Sequence, residues 1–264
     1  MIRAFLTAKS RRGIIAYMKL LDNNTDLNGL DCHIHSPFSP DARACGADQP
    51  QKIAEAVRAK GLCGFIVTDH VDVGHWDGYI IDFDKYFSAW NRVRDNNPDL
   101  TIYIGLEVGF EQKYAKKTER LIKDLPLEYV INSVHYWEHQ VPIPRGEPPF
   151  LSYLNAIRQS LDVDYDFNTI GHIGFLERYI NSTMLYDDYR GIMDDIIKAA
   201  VSRGIRIEEN TNAPLPPHQP REDFLRAYKV AGGTKPALGS DAHTSEKIGQ
   251  HFKEAKEFLD GIFD

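Results

Sequence analysis

The stretch Leu30-Asp31-Cys32-His33-Ile34-His35-Ser36-Pro37 decides between two α/β folds, because it spans the end of the first predicted strand and the turn that follows. An open, doubly wound sheet usually carries a glycine-rich phosphate loop at this point. Here two histidines, a serine and a proline take the place of such a loop. A closed barrel, which places its chemistry at the carboxyl ends of many strands, is therefore favoured.

From Leu27 onward, apolar runs of strand length alternate with stretches of helical periodicity. The predicted strands lie near residues 29–35, 62–69, 101–107, 128–135, 167–172, 204–210 and 236–242. The predicted helices lie near residues 50–60, 83–96, 112–124, 150–162, 186–203, 221–231 and 246–262. Strands that alternate with helices form a parallel sheet covered by helices. We therefore predict one α/β domain over residues 28–264, a closed barrel of seven β/α units.

The first 27 residues differ in charge from the rest of the chain. No acidic residue occurs before Asp22, and the basic residues of this segment are Arg3, Lys9, Arg11, Arg12 and Lys19. The segment lacks the long apolar region and the small-residue cleavage site of a targeting peptide. We predict that residues 1–27 are a basic appendage to the barrel, most simply a surface helix.

The composition is typical of a soluble globular protein, with 42% hydrophobic and 26% charged residues among 264. No apolar run reaches the roughly 20 residues of a transmembrane helix. The net charge of −7 provides no general attraction for nucleic acid, which is therefore disfavoured as a partner. Three cysteines are too few for a disulfide framework and indicate a reducing, cytoplasmic location. The oligomeric state is left open.

The first strand ends in two histidines that could share one metal ion. His33 and His35 are two positions apart, so regular alternation places them on the same face, about 7 Å apart along the strand. The same alternation places Asp31 beside them, where it could orient an imidazole from behind, and predicts Cys32 and Ile34 on the opposite face.

Histidine, glutamate or aspartate recurs at the ends of five later strands. These residues are His70, Glu107, His135, His172, Asp241 and His243. One histidine after a strand is usually a core residue, but a buried cluster of unpaired polar groups would be costly, and metal ions would satisfy it. With Asp41 the set offers six imidazoles and three carboxylates, which suit two or three ions bridged by Glu107. The many nitrogen ligands favour zinc, manganese or iron over magnesium or calcium.

The charge of such a centre indicates its substrate. Three divalent ions among three carboxylates leave a charge of about +3, which would attract an anion such as a phosphate ester. The ions would also lower the pKa of a bound water toward about 7 and so supply a hydroxide nucleophile.

These motifs, in this order, resemble the polymerase and histidinol phosphatase (PHP) superfamily of metal-dependent phosphoesterases. The motifs are Asp31-x-His33-x-His35-Ser36 with Ser39-x-Asp41, Thr68-Asp69-His70, Glu107, Ser133-Val134-His135, Gly171-His172 and Ser240-Asp241-Ala242-His243. Three stretches resemble its histidinol-phosphate phosphatase branch, namely residues 171–179, residues 208–211, and residues 240–243 followed by Ile248-Gly249.

The resemblance implies a distorted, TIM-like (β/α)7 barrel with a trinuclear metal site at the carboxyl ends of its strands. The implied ligands are His33, His35, Glu107 and Asp241 for one ion, Glu107, His135 and His172 for a second, and Asp41, His70 and His243 for a third. The sequence departs from the family at Asp41, where some members carry histidine, and at Glu209, where an apolar residue is usual.

The resemblance also implies a function, the hydrolysis of L-histidinol phosphate to L-histidinol and phosphate in histidine biosynthesis. Arg178 is the predicted phosphate-binding residue, because a guanidinium can bind phosphate through two parallel hydrogen bonds. Arg145, in the long loop after the fourth strand, is a further candidate for contact with substrate. Asp241 is a candidate for handling the proton of the attacking water, and Glu208 and Asn210 are candidates for lining the substrate pocket.

Two other functions stay open from the sequence. One is a phosphoesterase of the same fold that acts on another small phosphate ester or on a nucleotide. The other is a metal-binding module without catalytic activity, which is disfavoured because every ligand position is filled.

Overall fold

Parallel strands surrounded by helices make up the computed structural model, which describes residues 20–22, 25–135, 150–180, 182–212 and 220–264. The strands are β1 (Leu30–Ile34), β2 (Gly64–Val67), β3 (His70–Val71), β4 (Thr101–Gly109), β5 (Tyr129–Ser133), β6 (Thr169–Ile170), β7 (Arg206–Asn210) and β8 (Ala237–Gly239). The helices are α1 (Pro40–Ala44), α2 (Pro50–Ala59), α3 (Phe83–Asn96), α4 (Ala115–Ile122), α5 (Phe150–Ser160), α6 (Arg190–Ser202), α7 (Glu222–Val230) and α8 (Phe252–Phe263).

The strands occupy seven positions around a nearly closed barrel. They pair in the order β1-β2-β4-β5-β6-β7-β8, and every pairing is parallel. β2 and β3 share one position, since both pair with β4, β2 along its first half and β3 at His70 opposite Glu107. A bridge between Ile34 and Ala242 brings the end of β1 beside the segment after β8. The predicted (β/α)7 barrel is thereby confirmed.

Each predicted strand and helix has a counterpart, and two short elements were not predicted. α1 begins at Pro40, whose fixed φ suits the first turn of a helix. The second predicted strand, near residues 62–69, corresponds to β2, and β3 lies just beyond it. None of the helices in the described ranges is both long and apolar enough to cross a membrane.

Two apolar clusters lie on opposite sides of the strands. The smaller contains Leu30, Cys32, Ile66, Tyr129, Ile131 and Ala237. Because β5 does not neighbour β1, β2 or β8 in the sheet, these side chains meet across the interior of the barrel. The larger cluster joins strand residues to helix residues such as Trp90 and Tyr153, and therefore fills the layer between barrel and helices.

Regular alternation fails in β1. Cys32 belongs to the interior cluster and Ile34 to the helix-side cluster, so the prediction that they share a face was wrong. The cause is an irregularity in the pairing of β1 with β2, whose register shifts between Asp31 and Ile34. Asp31 consequently touches no imidazole, contrary to prediction. Its carboxylate accepts hydrogen bonds from the backbone nitrogens of Ser240 (2.9 Å) and Gly249 (3.0 Å), which fastens β1 to the chain beyond β8.

The segment before β1 runs along the amino-terminal end of the barrel. The backbone of Leu21 donates to the carbonyl of Glu128 (2.8 Å) and accepts from the side chain of Asn168 (2.9 Å). The carbonyl of Thr25 accepts from Arg206 (2.7 Å). The end of the predicted appendage is thus hydrogen-bonded to the barrel, while residues 1–19 lie outside the described residues.

Candidate metal centre

All nine candidate ligands lie together at the carboxyl end of the barrel. They are His33, His35, Asp41, His70, Glu107, His135, His172, Asp241 and His243. Parallel strands end at the same rim, which explains how residues from distant parts of the chain meet here. Asp41 joins them from α1 and the others from strand ends.

The first group surrounds one oxygen of Glu107. Glu107 Oε2 lies 3.1 Å from His33 Nε2 and 3.4 Å from His35 Nε2, and the two ring nitrogens are 3.1 Å apart. Asp241 Oδ1 lies 3.2 Å from His35 Nε2 and 3.8 Å from His33 Nε2. Ligands of one tetrahedral zinc ion would be about 3.3 Å apart, so these four side chains could hold a single ion.

The second group surrounds the other oxygen of the same glutamate. Glu107 Oε1 lies 3.1 Å from His135 Nε2 and 2.8 Å from His172 Nε2, and these two nitrogens are 3.2 Å apart. Glu107 therefore presents one oxygen to each group, as a bridging carboxylate does.

The third group lies toward α1. Asp41 Oδ2 is 3.2 Å from His70 Nε2 and 2.9 Å from His243 Nε2. The ring of His35 lies against both histidines, with centroid distances of 4.4 and 4.3 Å. This group therefore adjoins the first.

The unsatisfied polar atoms show that these residues fit a metal ion. Glu107 Oε2 is buried and within 3.4 Å of ring nitrogens of His33, His35 and His70, yet makes no hydrogen bond to any described residue. Buried polar groups are normally hydrogen-bonded, and imidazole with carboxylate is a donor set that suits divalent transition metals. A cation among these atoms would satisfy them together.

Two members of the cluster are held in the states that bind metal. Burial would raise the pKa of Glu107, but the imidazoles of His33, His70 and His135 outweigh it and hold the pKa well below its usual range. Burial lowers the pKa of His35 to about 3, assisted by neighbouring histidines, so its ring is neutral at pH 7. A metal ion requires this ionised carboxylate and this neutral imidazole. In four other members, neighbouring carboxylates outweigh burial and raise the pKa of the imidazole, so a metal ion would have to displace a proton from His33, His70, His135 and His243.

Glu208 lies behind the ligands. Its Oε1 is 2.5 Å from His33 Nδ1, and its Oε2 accepts from the backbone nitrogen of His172 at 2.6 Å. A Cβ at position 239 would lie 2.4 Å from Glu208 Oε1 and 2.6 Å from the His33 Cβ, so only Gly239 leaves room for this pair. Both oxygens of Glu208 make contacts within the protein, and its predicted place in the lining of the substrate pocket stays a prediction.

Two further supporting residues were missed from the sequence. Asp72 Oδ1 is 2.9 Å from His135 Nδ1, and the Ser133 hydroxyl donates to Glu107 Oε1 at 2.6 Å. Burial would raise the pKa of Asp72, but His135 and His70 outweigh it and hold the pKa below its usual range. A signal for Asp72 was present, since it stands two positions after His70.

Arg178 lies at the edge of the cluster. Its Nη1 is 3.1 Å from Asp241 Oδ2, and its Nη2 donates to the Asn210 side-chain oxygen at 2.6 Å. The side chain is 12% exposed and its guanidinium lies 5.6 Å from the centre of the Phe175 ring. The structure thus brings Arg178 and Asn210 together at the edge of the cluster, and their predicted contacts with substrate stay predictions; Arg145 lies outside the described residues.

The fold and the site together define a metal-binding α/β-barrel protein whose ligands come from the carboxyl ends of parallel strands. The sequence model of the PHP domain family matches residues 31–212. The chain belongs to this family, as its motifs predicted.

Within the family the chain is similar to proteins named histidinol phosphatases. It is 27% identical over 243 residues to the probable histidinol-phosphatase of Clostridium acetobutylicum, which covers 86% of this chain and 91% of that protein. It is 28% identical over 235 residues to the histidinol-phosphatase of Lactococcus lactis subsp. lactis, covering 83% and 85%. The crystal structure of a Lactococcus lactis histidinol phosphate phosphatase, complexed with zinc, L-histidinol and phosphate, has the same fold, with a TM-score of 0.77, 24% identity and coverage of 89% and 94%.

Proposed function

We propose that this protein is a metal-dependent phosphomonoesterase that hydrolyses L-histidinol phosphate to L-histidinol and phosphate. The observation that carries the proposal is the cluster of nine candidate ligands, in which the two oxygens of Glu107 face separate groups of imidazoles. The relatives that share most of the chain's length are named for this reaction.

The three groups of side chains suit three divalent ions, with zinc, manganese or iron as candidates. Glu107 would bridge the first two ions, and His70 with Asp41 and His243 would hold the third. When bound, such ions lower the pKa of water and neutralise charge on phosphate oxygens.

Arg178 is proposed to bind the phosphate group. Its guanidinium is fixed by Asp241 and Asn210, and its buried Nε has no hydrogen-bond partner among the described residues. A donor held rigidly beside a cationic centre is suited to an anionic oxygen. Asn210 thus acts through Arg178, by holding it in place.

Asp241 is proposed to remain ionised throughout the reaction. Burial would raise its pKa, but His33, His35 and Arg178 outweigh that effect and hold the pKa well below its usual range. A carboxyl group with so low a pKa cannot readily donate a proton to the leaving alcohol. It can serve as an anionic ligand and accept a hydrogen bond from the attacking water without taking its proton.

The test is phosphate release by protein loaded with manganese or zinc. L-histidinol phosphate, an aryl phosphate and a nucleoside monophosphate are compared by kcat/KM. We expect L-histidinol phosphate to be preferred by several orders of magnitude. Hydrolysis of the aryl phosphate without that preference would overturn the proposed substrate, while the proposed metal-dependent phosphatase activity would stand.

Arg178 supplies a variant for the same assay. We expect Arg178→Ala to lower kcat/KM for L-histidinol phosphate by about 100-fold, the loss of one charge-assisted contact to the reacting group. Arg178→Lys should recover only part of the loss, because an ammonium cannot form the paired contacts of a guanidinium. An Arg178→Ala enzyme with unchanged kcat and KM would exclude this role.

A further inference from the structure

Two exposed aromatic side chains lie near the metal centre. Trp76 follows β3 and is 36% exposed, and Tyr179 follows β6 and is 67% exposed. Burial of an aromatic side chain is strongly favourable, and aromatic side chains that stay exposed are often found at binding sites. Their position therefore points to a ligand.

A row of ring contacts joins the two residues across the candidate ligands. The Trp76 ring centre is 6.3 Å from that of His70, and His70 is 5.0 Å from His135. His135 is 5.5 Å from Phe175, and Phe175 is 5.0 Å from Tyr179. Trp76 and Tyr179 thus stand at the two ends of a row that runs along the metal centre.

The backbone at Trp76 has an unusual conformation. Its φ is 52° and that of Asp77 is 54°, both in the left-handed region that bulky side chains rarely adopt. The indole nitrogen donates to Asp72 Oδ2 at 3.3 Å, and the other oxygen of Asp72 contacts His135. Strained backbone of this type is concentrated at ligand sites, where surrounding contacts maintain it.

We propose that Trp76 and Tyr179 border the subsite for the leaving group, and that Trp76 stacks on a flat ring carried by that group. The proposal rests on the proposed function, because it takes the phosphate to lie at the metal centre. A heteroaromatic ring such as imidazole offers a face for stacking and, when protonated, a charge that aromatic faces attract. Arg178 and Tyr179 both lie beside Phe175, so Arg178 and Trp76 then bind opposite ends of the ester.

The test compares two esters that differ in the ring. L-histidinol phosphate carries it, whereas O-phosphoethanolamine keeps an amino alcohol and lacks the ring. We expect Trp76→Ala to raise KM for L-histidinol phosphate about ten-fold with little change in kcat, because the contact is the same in the ground and transition states. Tyr179→Ala should raise it about three-fold. KM for O-phosphoethanolamine should not change.

Matched variants separate recognition from folding. Trp76→Phe and Tyr179→Phe keep an aromatic face and should retain most of the affinity. Val230→Ala removes an exposed apolar side chain at the end of α7 and should have no effect. A Trp76→Ala enzyme whose KM rises equally for both esters, or does not rise, would overturn the proposal.

Binding of L-histidinol gives a readout that needs no turnover. We expect it to change the tryptophan fluorescence of the metal-loaded protein, and Trp76→Phe to abolish that change. Trp90→Phe, which alters a buried indole beside Phe65, should leave it in place. If the unmodified protein hydrolyses neither ester, the proposed function fails. The fluorescence experiment then tests the proposed subsite by itself, and an emission that does not change when L-histidinol is added would overturn the subsite.

Discussion

The two ends of the barrel use the same strands in opposite ways. Toward the amino-terminal end, Ile66, Tyr129 and Ala237 pack against one another in an apolar interior. At the carboxyl end, Glu107 and His33 are fully buried polar groups. Apolar burial stabilises the fold directly, whereas a buried polar atom costs free energy unless it finds a partner. The apolar interior at the amino-terminal end therefore stabilises the fold. The buried polar cluster at the carboxyl end is stable only when cations and supporting carboxylates satisfy it.

The largest expected effect comes from removing the carboxylate shared by two groups of ligands. Glu107→Gln should lower kcat by about three orders of magnitude, since it removes an anionic ligand worth several kcal/mol to the metal centre. It should also lower the metal content of the purified protein. Both are measured on the same samples, by steady-state kinetics and by elemental analysis.

The matched control is a carboxylate at the other end of the barrel. Glu128 precedes β5, accepts hydrogen bonds from Arg94 (2.8 Å) and the Ile104 backbone (2.9 Å), and touches no candidate ligand. Glu128→Gln should lower the melting temperature and leave metal content unchanged. Equal metal loss in both variants would contradict the division between the two ends.

The second prediction concerns the apolar interior. Ile66→Ala, at a fully buried position, should lower the free energy of unfolding by about 2–5 kcal/mol through lost burial and a cavity. Denaturant unfolding of the metal-free protein measures this loss. The kcat of the folded variant should stay near the unmodified value, and a large fall in kcat would show that the apolar interior also shapes the site.

The smallest expected effect comes from the carboxylate behind the ligands. Glu208→Gln should weaken metal binding about 10- to 100-fold, because an amide cannot accept hydrogen bonds from both His33 and His172. Titration calorimetry with zinc measures this change.

Glu209→Gln is the neighbouring control, equally buried but on the opposite face of β7. It should leave zinc affinity unchanged even if the melting temperature falls. A zinc affinity that falls equally in both variants would assign the effect of Glu208 to general destabilisation.

Local structure in β1 shows where prediction from sequence failed. Strict alternation predicted that Asp31 and His33 share one face of β1 and that Cys32 and Ile34 share the other. Both predictions were wrong because the register of β1 shifts against β2. The contacts of Glu208 with His33 and of Asp72 with His135 were missed for a related reason. Each contact depends on which side chain from a distant strand lies next to the carboxylate. The role of Arg145 stays a prediction.

The sequence by itself determined the fold class and the composition of the site. Alternating strand and helix patterns predict a parallel barrel, and the carboxyl ends of its strands share one rim. Residues at those ends, such as His33 and His172, are therefore expected to lie close together. The grouping of the ligands around Glu107 was implied by the family resemblance. Only the tertiary structure decided the grouping of the carboxylates behind them, Glu208 against His33 and Asp72 against His135. That grouping depends on strand register and on the closure of β1 against the segment after β8, which are set by packing across the whole ring rather than by any local stretch of chain.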